Sequence, residues 1–251
     1  MSPIATDNQI PEISIVVPVY NEEGAIRGVL EKVIRAVQEM REECEIIVVN
    51  DRSADRTVEI VNEFVQSKKA ILIDSKNSRG KGGALRTGFD LARGNYILMM
   101  DGDGSHQGND IPRLIEELKR TKGLVIGSRI YGGSEEYTRI RAFGNIFLTW
   151  MFGMFHGRYL SDALNGFKAF NADIYRRFHY SSSGYEIEVE LLVNALKLKL
   201  QITEVPSLEL KRQAGQAKSK VVKDGFRFLW RIVFEYFRKR RYKHESARQP
   251  A

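Results

Sequence analysis

Short apolar segments recur through the first half of the chain, and each ends at a turn-forming or acidic residue. They cover residues 13–17, 46–49, 70–73 and 96–100, and a shorter segment covers residues 124–126. Uninterrupted apolar runs of this length are typical of strands that are buried on both faces of a parallel sheet. We therefore predict four buried parallel strands and a fifth, shorter strand.

Segments with a helical period separate these strands. In residues 26–37 and 58–65 the apolar positions recur at intervals of three or four, so each segment has one apolar stripe. Strands that alternate with helices predict an α/β fold, with a mostly parallel sheet, helices on both faces and right-handed crossovers. Ligands of such sheets bind at the carboxyl ends of the strands, where the polar clusters of this chain fall.

The second half of the chain is more aromatic. Residues 145–155 are mostly apolar, but they are only about half as long as a membrane span. This segment is therefore either part of the core or an interfacial helix.

A basic segment with a helical pattern follows near the end of the chain. In residues 223–240, apolar and aromatic side chains cover most of the helix, and the charged residues share one narrow stripe. The stripe consists of Arg227, Arg231, Glu235 and Arg238. Such a helix suits the headgroup boundary of an anionic bilayer. The pattern is almost as compatible with a helix that packs on the main domain and leaves its charges in solvent.

The composition is that of an ordinary globular protein, with 43% hydrophobic and 28% charged residues among 251. The net charge of +7 indicates an anionic partner, which could be nucleic acid, a membrane surface or a phosphorylated small molecule. A single cysteine, Cys44, cannot form an internal disulfide, which fits a reducing, cytoplasmic compartment. We find no signal-peptide pattern or spanning segment, so we expect any membrane contact to be peripheral.

Two aspartates directly follow the fourth predicted strand, in the sequence Asp101-Gly102-Asp103-Gly104. Carboxylates at positions i and i+2 of a glycine-relaxed turn can converge on one hard divalent cation that keeps open positions for phosphate oxygens. The same residues are good turn formers and resemble part of a calcium loop. However, the bidentate glutamate of that loop is missing, and a strand precedes the motif instead of a helix.

Three more polar clusters accompany the acidic pair. Pro-Val-Tyr-Asn-Glu-Glu occupies residues 18–23, Asn-Asp-Arg-Ser-Ala-Asp-Arg-Thr occupies residues 50–57, and Arg-Gly-Lys-Gly-Gly-Ala occupies residues 79–84. In order and spacing these clusters and residues 101–104 resemble the nucleotide-binding half of family-2 glycosyltransferases.

The second half of the chain extends this resemblance. Gly-Ser-Arg at residues 127–129, the segment 162–170 and Lys-Ser-Lys at residues 218–220 are similar to the dolichol-phosphate mannose synthase and polyprenyl-phosphate glycosyltransferase branch. The resemblance implies a tail at residues 1–12 and a GT-A type catalytic domain at residues 13–210. Residues 211–251 would then form a basic amphipathic extension.

The activity that the resemblance implies is an inverting transfer of one sugar from a nucleotide-sugar to a polyprenyl phosphate of the dolichyl type. Residues 50–52 read Asn-Asp-Arg where the family usually has Asp-Asp-Gly, so GDP-mannose and UDP-hexoses both stay open as donors. The chain lacks Gln-x-x-Arg-Trp, the mark of processive synthases, which favours single transfer.

The donor residues implied by the resemblance fall in the clusters described above. They are Pro18, Tyr20, Glu22, Asp51, Lys81, Asp101, Gly102, Asp103 and Arg129. An aromatic ring at position 20 can stack on the base, and carboxylates can accept hydrogen bonds from ribose hydroxyls. Lys81 lies in a glycine-rich turn at a helix start, where phosphate is favoured. Arg129 matches the arginine that faces the donor diphosphate.

The metal implied by the resemblance is Mg²⁺ or Mn²⁺, bound by Asp101, Asp103 and Ser105. Such an ion neutralises the charge that grows on a departing nucleoside diphosphate. By the same resemblance, Asp103, Arg129 and Arg141 are the residues expected to act in the transfer itself.

The acceptor can be argued from its need for a base. A phosphate monoester has a second pKa of about 6 and is already an anionic nucleophile, so it needs cations to hold it. The resemblance singles out Arg141, Arg212 and Lys220 for this task, although Arg139 could replace Arg141 in the alignment. A hydroxyl acceptor would instead need a general base. Candidate bases are Glu186, Glu188 and Asp162.

These interpretations define the expected partners and location. They are a nucleotide-sugar, a polyprenyl phosphate and an anionic membrane surface on the cytoplasmic face, with room for a membrane-protein partner. A rival hypothesis is a non-catalytic basic module that binds RNA or membrane through its tail. Because Tyr20, Asp51, Asp101 and Asp103 are all present, we expect no nucleic-acid partner. A family-2 transferase with a hydroxyl acceptor is the remaining alternative.

Overall fold

The computed structural model describes residues 10–75, 80–136, 138–213 and 221–246, with side chains of the last segment over residues 223–238. A seven-stranded sheet lies at the centre of these residues, in the order β3-β2-β1-β4-β6-β5-β7. The strands are β1 (Ile13–Val19), β2 (Cys44–Asn50), β3 (Ile71–Asp74), β4 (Tyr96–Met99), β5 (Leu124–Ser128), β6 (Lys168–Asn171) and β7 (Ile202–Pro206).

The sheet is mostly parallel, as predicted. Only β6 runs antiparallel to its neighbours β4 and β5, and the other strand pairs are parallel. The five predicted strands are confirmed within three residues of their expected bounds. The expected burial was wrong for β3, which lies at the edge of the sheet and has no buried residue. The sequence analysis did not predict β6 or β7. The first contains a lysine, and the second alternates polar and apolar residues at the edge of the sheet, so neither resembles a buried apolar run.

Helices cover both faces of the sheet. They are α1 (Ile26–Met40), α2 (Thr57–Gln66), α3 (Lys81–Leu91), α4 (Ile111–Thr121), α5 (Arg129–Gly132), α6 (Arg139–His156), α7 (Asp173–Arg176), α8 (Ile187–Lys197) and α9 (Val221–Ser246). A short 3₁₀ turn, Gly108–Asp110, precedes α4.

Two hydrophobic cores lie on opposite faces of the sheet, because successive strand residues point in opposite directions. In β1, Ile15 and Val17 join the core under α1, α2 and α4, whereas Val16 joins the core under α3 and α8. The strand register also aligns the carboxyl ends of β1 and β2, since Val19 lies opposite Asn50. The polar clusters after these strands therefore share one edge of the sheet.

The C-terminal helix packs on the domain with its charged stripe inward. Glu235 is fully buried and Arg231 nearly so, and Arg231 Nη1 lies 3.0 Å from Oε1 of Glu190 on α8. Phe226 and Trp230 are 70% and 71% exposed. For Arg231 and Glu235, the expectation that the charges of this helix face headgroups or solvent was therefore wrong, whereas Arg227 is 47% exposed. Carboxylates on α8 and α9 give the arginines partners inside the fold.

Helix α6, which contains residues 145–155, has one buried face and one exposed apolar face. Leu148 and Phe152 are buried, whereas Phe147 and Trp150 are largely exposed. The later turns of α6 and α9 touch each other, with the Phe155 and Tyr236 rings 5.3 Å apart. We call the outward apolar residues of the two helices the α6–α9 apolar surface; they are Ile140, Phe143, Ile146, Phe147, Trp150, Met154, Phe226, Trp230, Phe234 and Phe237.

Within the described part of the chain, we find no helix whose length and apolarity would let it span a bilayer.

Candidate active site

A cavity of about 580 Å³ lies at the carboxyl ends of the parallel strands. It brings together the predicted site residues that the structure describes, although they come from seven separate segments of the chain. They are Pro18, Tyr20, Glu22, Asp51, Lys81, Asp101, Gly102, Asp103, Ser105, Arg129, Arg141 and Arg212. The remaining predicted residue, Lys220, lies outside the described residues.

The acidic pair follows β4 at the base of the cavity. Asp103 Oδ1 accepts hydrogen bonds from the backbone nitrogen and the hydroxyl of Ser105, at 2.9 and 2.6 Å. Its other oxygen, Oδ2, lies 2.7 Å from Nη2 of Arg212. Asp101 Oδ1 lies 2.7 Å from Nζ of Lys81. Each carboxylate of the pair is thus bound to a cation from a distant part of the chain.

The pKa of Asp101 reflects this arrangement. Burial raises the pKa of the carboxyl group, but the charges of Lys81 and Arg212 and the hydrogen bond from Lys81 outweigh burial and lower it to about 2. Asp101 therefore stays ionised at any physiological pH, as a metal ligand or an ion-pair partner must.

His106 holds the turn that carries the acidic pair. The backbone nitrogen of Asp101 donates to His106 Nδ1 at 3.1 Å, and Nε2 lies 3.2 Å from Oδ1 of Asn165. Because Nδ1 accepts, the proton belongs on Nε2, which donates to Asn165. The ring also stacks on Phe167, with centroids 4.9 Å apart. The histidine therefore supports Asp101 through its backbone.

Lys81 points into the cavity from the first turn of α3. Its ammonium group bridges Asp101 and Glu188 Oε1, the latter at 3.1 Å. Burial alone would lower the pKa of Lys81, but the two carboxylates outweigh burial and raise it above the ordinary value. The backbone nitrogens of Gly82 and Gly83, expected to favour phosphate, instead donate to Ser183 O at 3.0 and 3.3 Å.

The loops expected to hold the base and ribose are joined to each other. Glu22 N donates to Thr57 Oγ1 at 2.8 Å. Asp51 Oδ2 accepts a hydrogen bond of 2.7 Å from Gly80 N, which ties the end of β2 to the start of α3. Tyr20 is 45% exposed and lines the cavity.

Arg129 is held by a buried carboxylate. Its Nε and Nη2 atoms donate to the two oxygens of Asp162 at 2.7 and 2.8 Å, and its Nη1 donates to Glu209 at 3.2 Å. Burial raises the pKa of Asp162, but Arg129 outweighs burial and lowers it. Asp162 also accepts from Asn145 at 2.9 Å. These contacts make Asp162 a positioning group for Arg129 and a poor general base.

The other two candidate bases are also engaged. Glu186 directly precedes α8, and Glu188 lies in its first turn. Glu186 Oε1 accepts from Gly184 N at 3.2 Å, whereas Glu188 is buried and paired with Lys81. Neither carboxylate is poised to take a proton from a substrate hydroxyl.

The two described arginines of the predicted acceptor clamp meet at Glu136. Nη1 of Arg141 lies 3.5 Å from Glu136 Oε2, and the backbone nitrogen of Arg212 donates to Glu136 Oε1 at 2.8 Å. The guanidinium of Arg212 also lies 3.2 Å from Glu22 Oε1. Arg139, the alternative to Arg141, is exposed at the first position of α6.

Sequence reasoning missed the buried charges behind the cavity. Lys168 is fully buried in β6, its amine donates to Asn165 O, and it lies 3.9 Å from Glu188 Oε2. Burial, only partly offset by Glu188, lowers the pKa of Lys168 to about 8. The sequence contains a signal for these charges, since Lys168 lies among apolar neighbours at residues 167–170, a pattern that indicates burial. A buried ammonium in turn requires an acidic partner.

The donor atoms at the acidic pair suit a hard divalent cation. Two carboxylates and the Ser105 hydroxyl are oxygen ligands of the kind that Mg²⁺ and Mn²⁺ prefer. Within the described ranges, no group of three or more His, Cys, Asp or Glu side chains could hold a metal, so substrate oxygens or water would have to complete the shell. Lys81 and Arg212 already place positive charge against both carboxylates.

Comparisons with known proteins identify the family of this chain. Residues 14–182 match the family model described as glycosyl transferase family 2. The chain is 33% identical over 230 residues to the low-salt glycan biosynthesis hexosyltransferase Agl6 of Haloferax volcanii. This match covers 89% of this chain and 54% of that protein. It is also 33% identical over 221 residues to the dolichyl-phosphate beta-glucosyltransferase of Saccharomyces cerevisiae. This match covers 77% of this chain and 65% of that protein.

A third relative is the dolichol-phosphate mannosyltransferase of Pyrococcus furiosus, 28% identical over 232 residues, covering 90% of this chain and 62% of that protein. The chain thus spans about half to two thirds of the length of these three relatives.

Among solved structures, the fold is similar to glucosyl-3-phosphoglycerate synthase from Mycobacterium tuberculosis in complex with Mn²⁺, uridine diphosphate and phosphoglyceric acid. The TM-score is 0.69 at 17% identity, covering 90% of this chain and 78% of that one. At this identity the likeness concerns the fold alone. The chain therefore belongs to glycosyl transferase family 2, and it has the GT-A type fold predicted from its sequence.

Proposed function

We propose that this protein transfers a single sugar from a nucleotide-sugar to a polyprenyl phosphate, with inversion at the anomeric carbon, at the cytoplasmic surface of a membrane. The observation that carries the proposal is the composition of the cavity. An acidic pair lies at its base, Arg141 and Arg212 meet at Glu136 on its wall, and the first turns of α6 and α9 complete it.

The donor would occupy the part of the cavity between Tyr20 and the acidic pair. The ring of Tyr20 would offer a stacking surface for the base, and Asp51, which follows β2, lines the same cavity. Asp101, Asp103 and Ser105 would hold Mg²⁺ or Mn²⁺, which supplies charge neutralisation for the departing nucleoside diphosphate. GDP-mannose and UDP-hexoses remain the two donor classes, because the relatives include a mannosyltransferase and glucosyltransferases.

The reaction needs no proton acceptor if the nucleophile is a phosphate. An acceptor phosphate oxygen would form the new bond to the anomeric carbon while the bond to the donor diphosphate breaks on the opposite face. A hydroxyl acceptor must lose a proton to a base, but Asp162, Glu186 and Glu188 already accept hydrogen bonds or form ion pairs within the protein. These contacts favour a phosphate acceptor over a hydroxyl acceptor. Arg141 and Arg212, with Lys220, would screen the repulsion between the two anionic substrates.

The acceptor's lipid tail would leave the cavity beside the α6–α9 apolar surface. Gly144 and Leu148 of α6 and Gly225 and Phe228 of α9 line the cavity, so both helices lead from the site to their exposed aromatic residues. Aromatic and aliphatic side chains of this kind insert at the headgroup boundary. The basic extension, residues 211–251, would therefore complete the catalytic domain, residues 13–210. It would supply part of the cavity wall and part of the membrane contact.

A donor and acceptor panel tests the proposal. UDP- and GDP-sugars are supplied with Mg²⁺ or Mn²⁺, with or without polyprenyl phosphate, and nucleoside diphosphate release and the products are measured. We expect release that requires the lipid phosphate and a divalent cation, and that is lost in Asp101→Asn and Asp103→Asn variants that remain folded. Efficient glycosylation of a neutral sugar hydroxyl, with a rate that falls in Glu188→Gln and not in Arg141→Ala, would replace the lipid phosphate by a hydroxyl acceptor.

A further inference from the structure

The two carboxylates proposed to bind the metal are each paired with a cation of the protein. Asp101 is paired with Lys81, and Asp103 is paired with Arg212, both at 2.7 Å. The Asp103 carboxylate is 9% exposed and the Asp101 carboxylate 27%. One oxygen of each carboxylate is therefore already paired with a cation of the protein.

Each of the two cations also has a second carboxylate partner. Lys81 lies 3.1 Å from Glu188, and Arg212 lies 3.2 Å from Glu22. Both glutamates are buried, with side chains 1% and 7% exposed. A cation displaced from its aspartate would thus keep a charged partner. This lowers the cost of displacement, because an unpaired charge inside the protein is unfavourable.

We infer that Lys81 and Arg212 act as internal counterions of the metal carboxylates, and that each leaves its aspartate for a substrate phosphate when the divalent cation binds. The inference rests on the proposed function. It assigns Arg212 two successive partners: Asp103 before the donor binds, and the acceptor phosphate afterwards. Lys81 likewise moves from Asp101 towards the donor phosphates while retaining Glu188.

Charge balance supports this exchange of partners. A metal ion that enters alone must compete with two cations already in place, and it adds two positive charges to a site that contains them. A donor diphosphate that enters with the metal ion brings two negative charges, so the pair adds no net charge. A phosphate acceptor that arrives first meets Arg212 already bound to two carboxylates.

Metal binding by the donor-free protein gives a readout that does not depend on activity. Mn²⁺ affinity is measured by electron paramagnetic resonance on the full chain, without nucleotide and with UDP or GDP. We expect Mn²⁺ alone to bind weakly to the unmodified protein, and a nucleoside diphosphate to tighten it. In Arg212→Gln and in Lys81→Gln, Mn²⁺ alone should bind about tenfold tighter, because a competing charge is gone.

Arg141→Gln is the matched control. It also removes one positive charge from the cavity wall, but Arg141 is paired with Glu136 rather than with either aspartate, so Mn²⁺ affinity should change less than about twofold. Arg212→Lys should lie between the unmodified protein and Arg212→Gln, since the charge stays and the two-pronged contact is lost. A second readout is the affinity for a short prenyl phosphate, which should rise when Mn²⁺ and the nucleoside diphosphate are present.

The outcomes separate this inference from the proposed function. If Arg212→Gln and Lys81→Gln bind Mn²⁺ no tighter than Arg141→Gln, or if prenyl phosphate binds equally well without nucleotide, the counterion role is wrong while the proposed transfer stands. If Mn²⁺ fails to bind any variant even with UDP or GDP, or binds Asp103→Asn as well as the unmodified protein, the metal role and the proposed function both fail.

Discussion

Arg231 on α9 and Glu190 on α8 form a buried ion pair, with Nη1 and Oε1 separated by 3.0 Å. The same carboxylate accepts a hydrogen bond from the backbone nitrogen of Ser182 at 3.0 Å. The next residue, Ser183, accepts from the backbone nitrogen of Gly82 at 3.0 Å, beside the lysine of the cavity. The C-terminal helix is therefore connected through one loop to the wall of the proposed donor site.

We predict that Arg231→Ala lowers the free energy of unfolding by about 2 to 4 kcal/mol, because it leaves the buried carboxylates Glu190 and Glu235 without this cation. Urea unfolding measures the change. Arg227→Ala is the control: Arg227 is 47% exposed and lies 4.0 Å from Asp224, so its loss should change stability by less than about 0.5 kcal/mol. Equal effects of the two substitutions would mean that the buried pair does not hold α9.

We predict that the double substitution Phe226→Ser and Trp230→Ser weakens binding to anionic vesicles and leaves the melting temperature nearly unchanged. Both rings are more than two thirds exposed, so they contribute little to the core but can insert among lipid headgroups. Vesicle sedimentation measures the binding. The control is Leu91→Ser, a 43% exposed apolar side chain at the end of α3. If the double variant sediments as fully as Leu91→Ser, α9 is not the membrane contact.

We predict that Gly82→Ala reduces donor turnover and lowers stability. A Cβ at this position would lie 2.6 Å from Gly184 O and 2.8 Å from Ser182 O, so the backbone of the adjoining loop must move. That loop accepts the hydrogen bonds at the start of α3 and would carry Lys81 with it. Turnover and urea unfolding are measured together.

Gly225→Ala is the control for this substitution. Gly225 also lies in a helix that lines the cavity, but a Cβ there meets nothing within 4 Å. Alanine should therefore stabilise α9 by up to about 1 kcal/mol through its helix propensity. A fully active, stable Gly82→Ala protein would show that the contact with residues 182–184 is not required.

We predict that Arg141→Ala lowers kcat/KM for polyprenyl phosphate at least about tenfold, while the affinity for the nucleotide-sugar changes less than about twofold. The lost interaction is a charge-assisted contact with the acceptor, typically about 1.5 to 3 kcal/mol. Steady-state kinetics and donor calorimetry measure the two quantities. Arg139→Ala, which removes an exposed arginine from the same helix, should leave both nearly unchanged. A larger loss in Arg139→Ala would transfer the acceptor role to that residue.

Local patterns in the sequence determined the central part of the fold. The buried strands β1, β2 and β4 are short apolar runs, and each must lie inside a sheet because both of its faces are apolar. Parallel strands bring their carboxyl ends to one edge, so the clusters at residues 18–23, 50–57 and 101–104 had to meet. The family and the position of the cavity were therefore predictable from the chain alone.

Tertiary structure decided which charged groups are paired and which way α9 faces. Lys81 and Glu188 are 107 residues apart, and Arg212 and Glu22 are 190 residues apart, so no local spacing indicates that they meet. The stripe of α9 was identified from its period, but a periodic pattern distinguishes two faces without showing which one is inside. Burial of the charged face is favourable only because Glu190 and Lys197 of α8 meet it with matching charges. These charges match only once the helices have packed. The sequence by itself therefore identified the charged stripe of α9, and the tertiary structure decided that Arg231 and Glu235 of this stripe point inward.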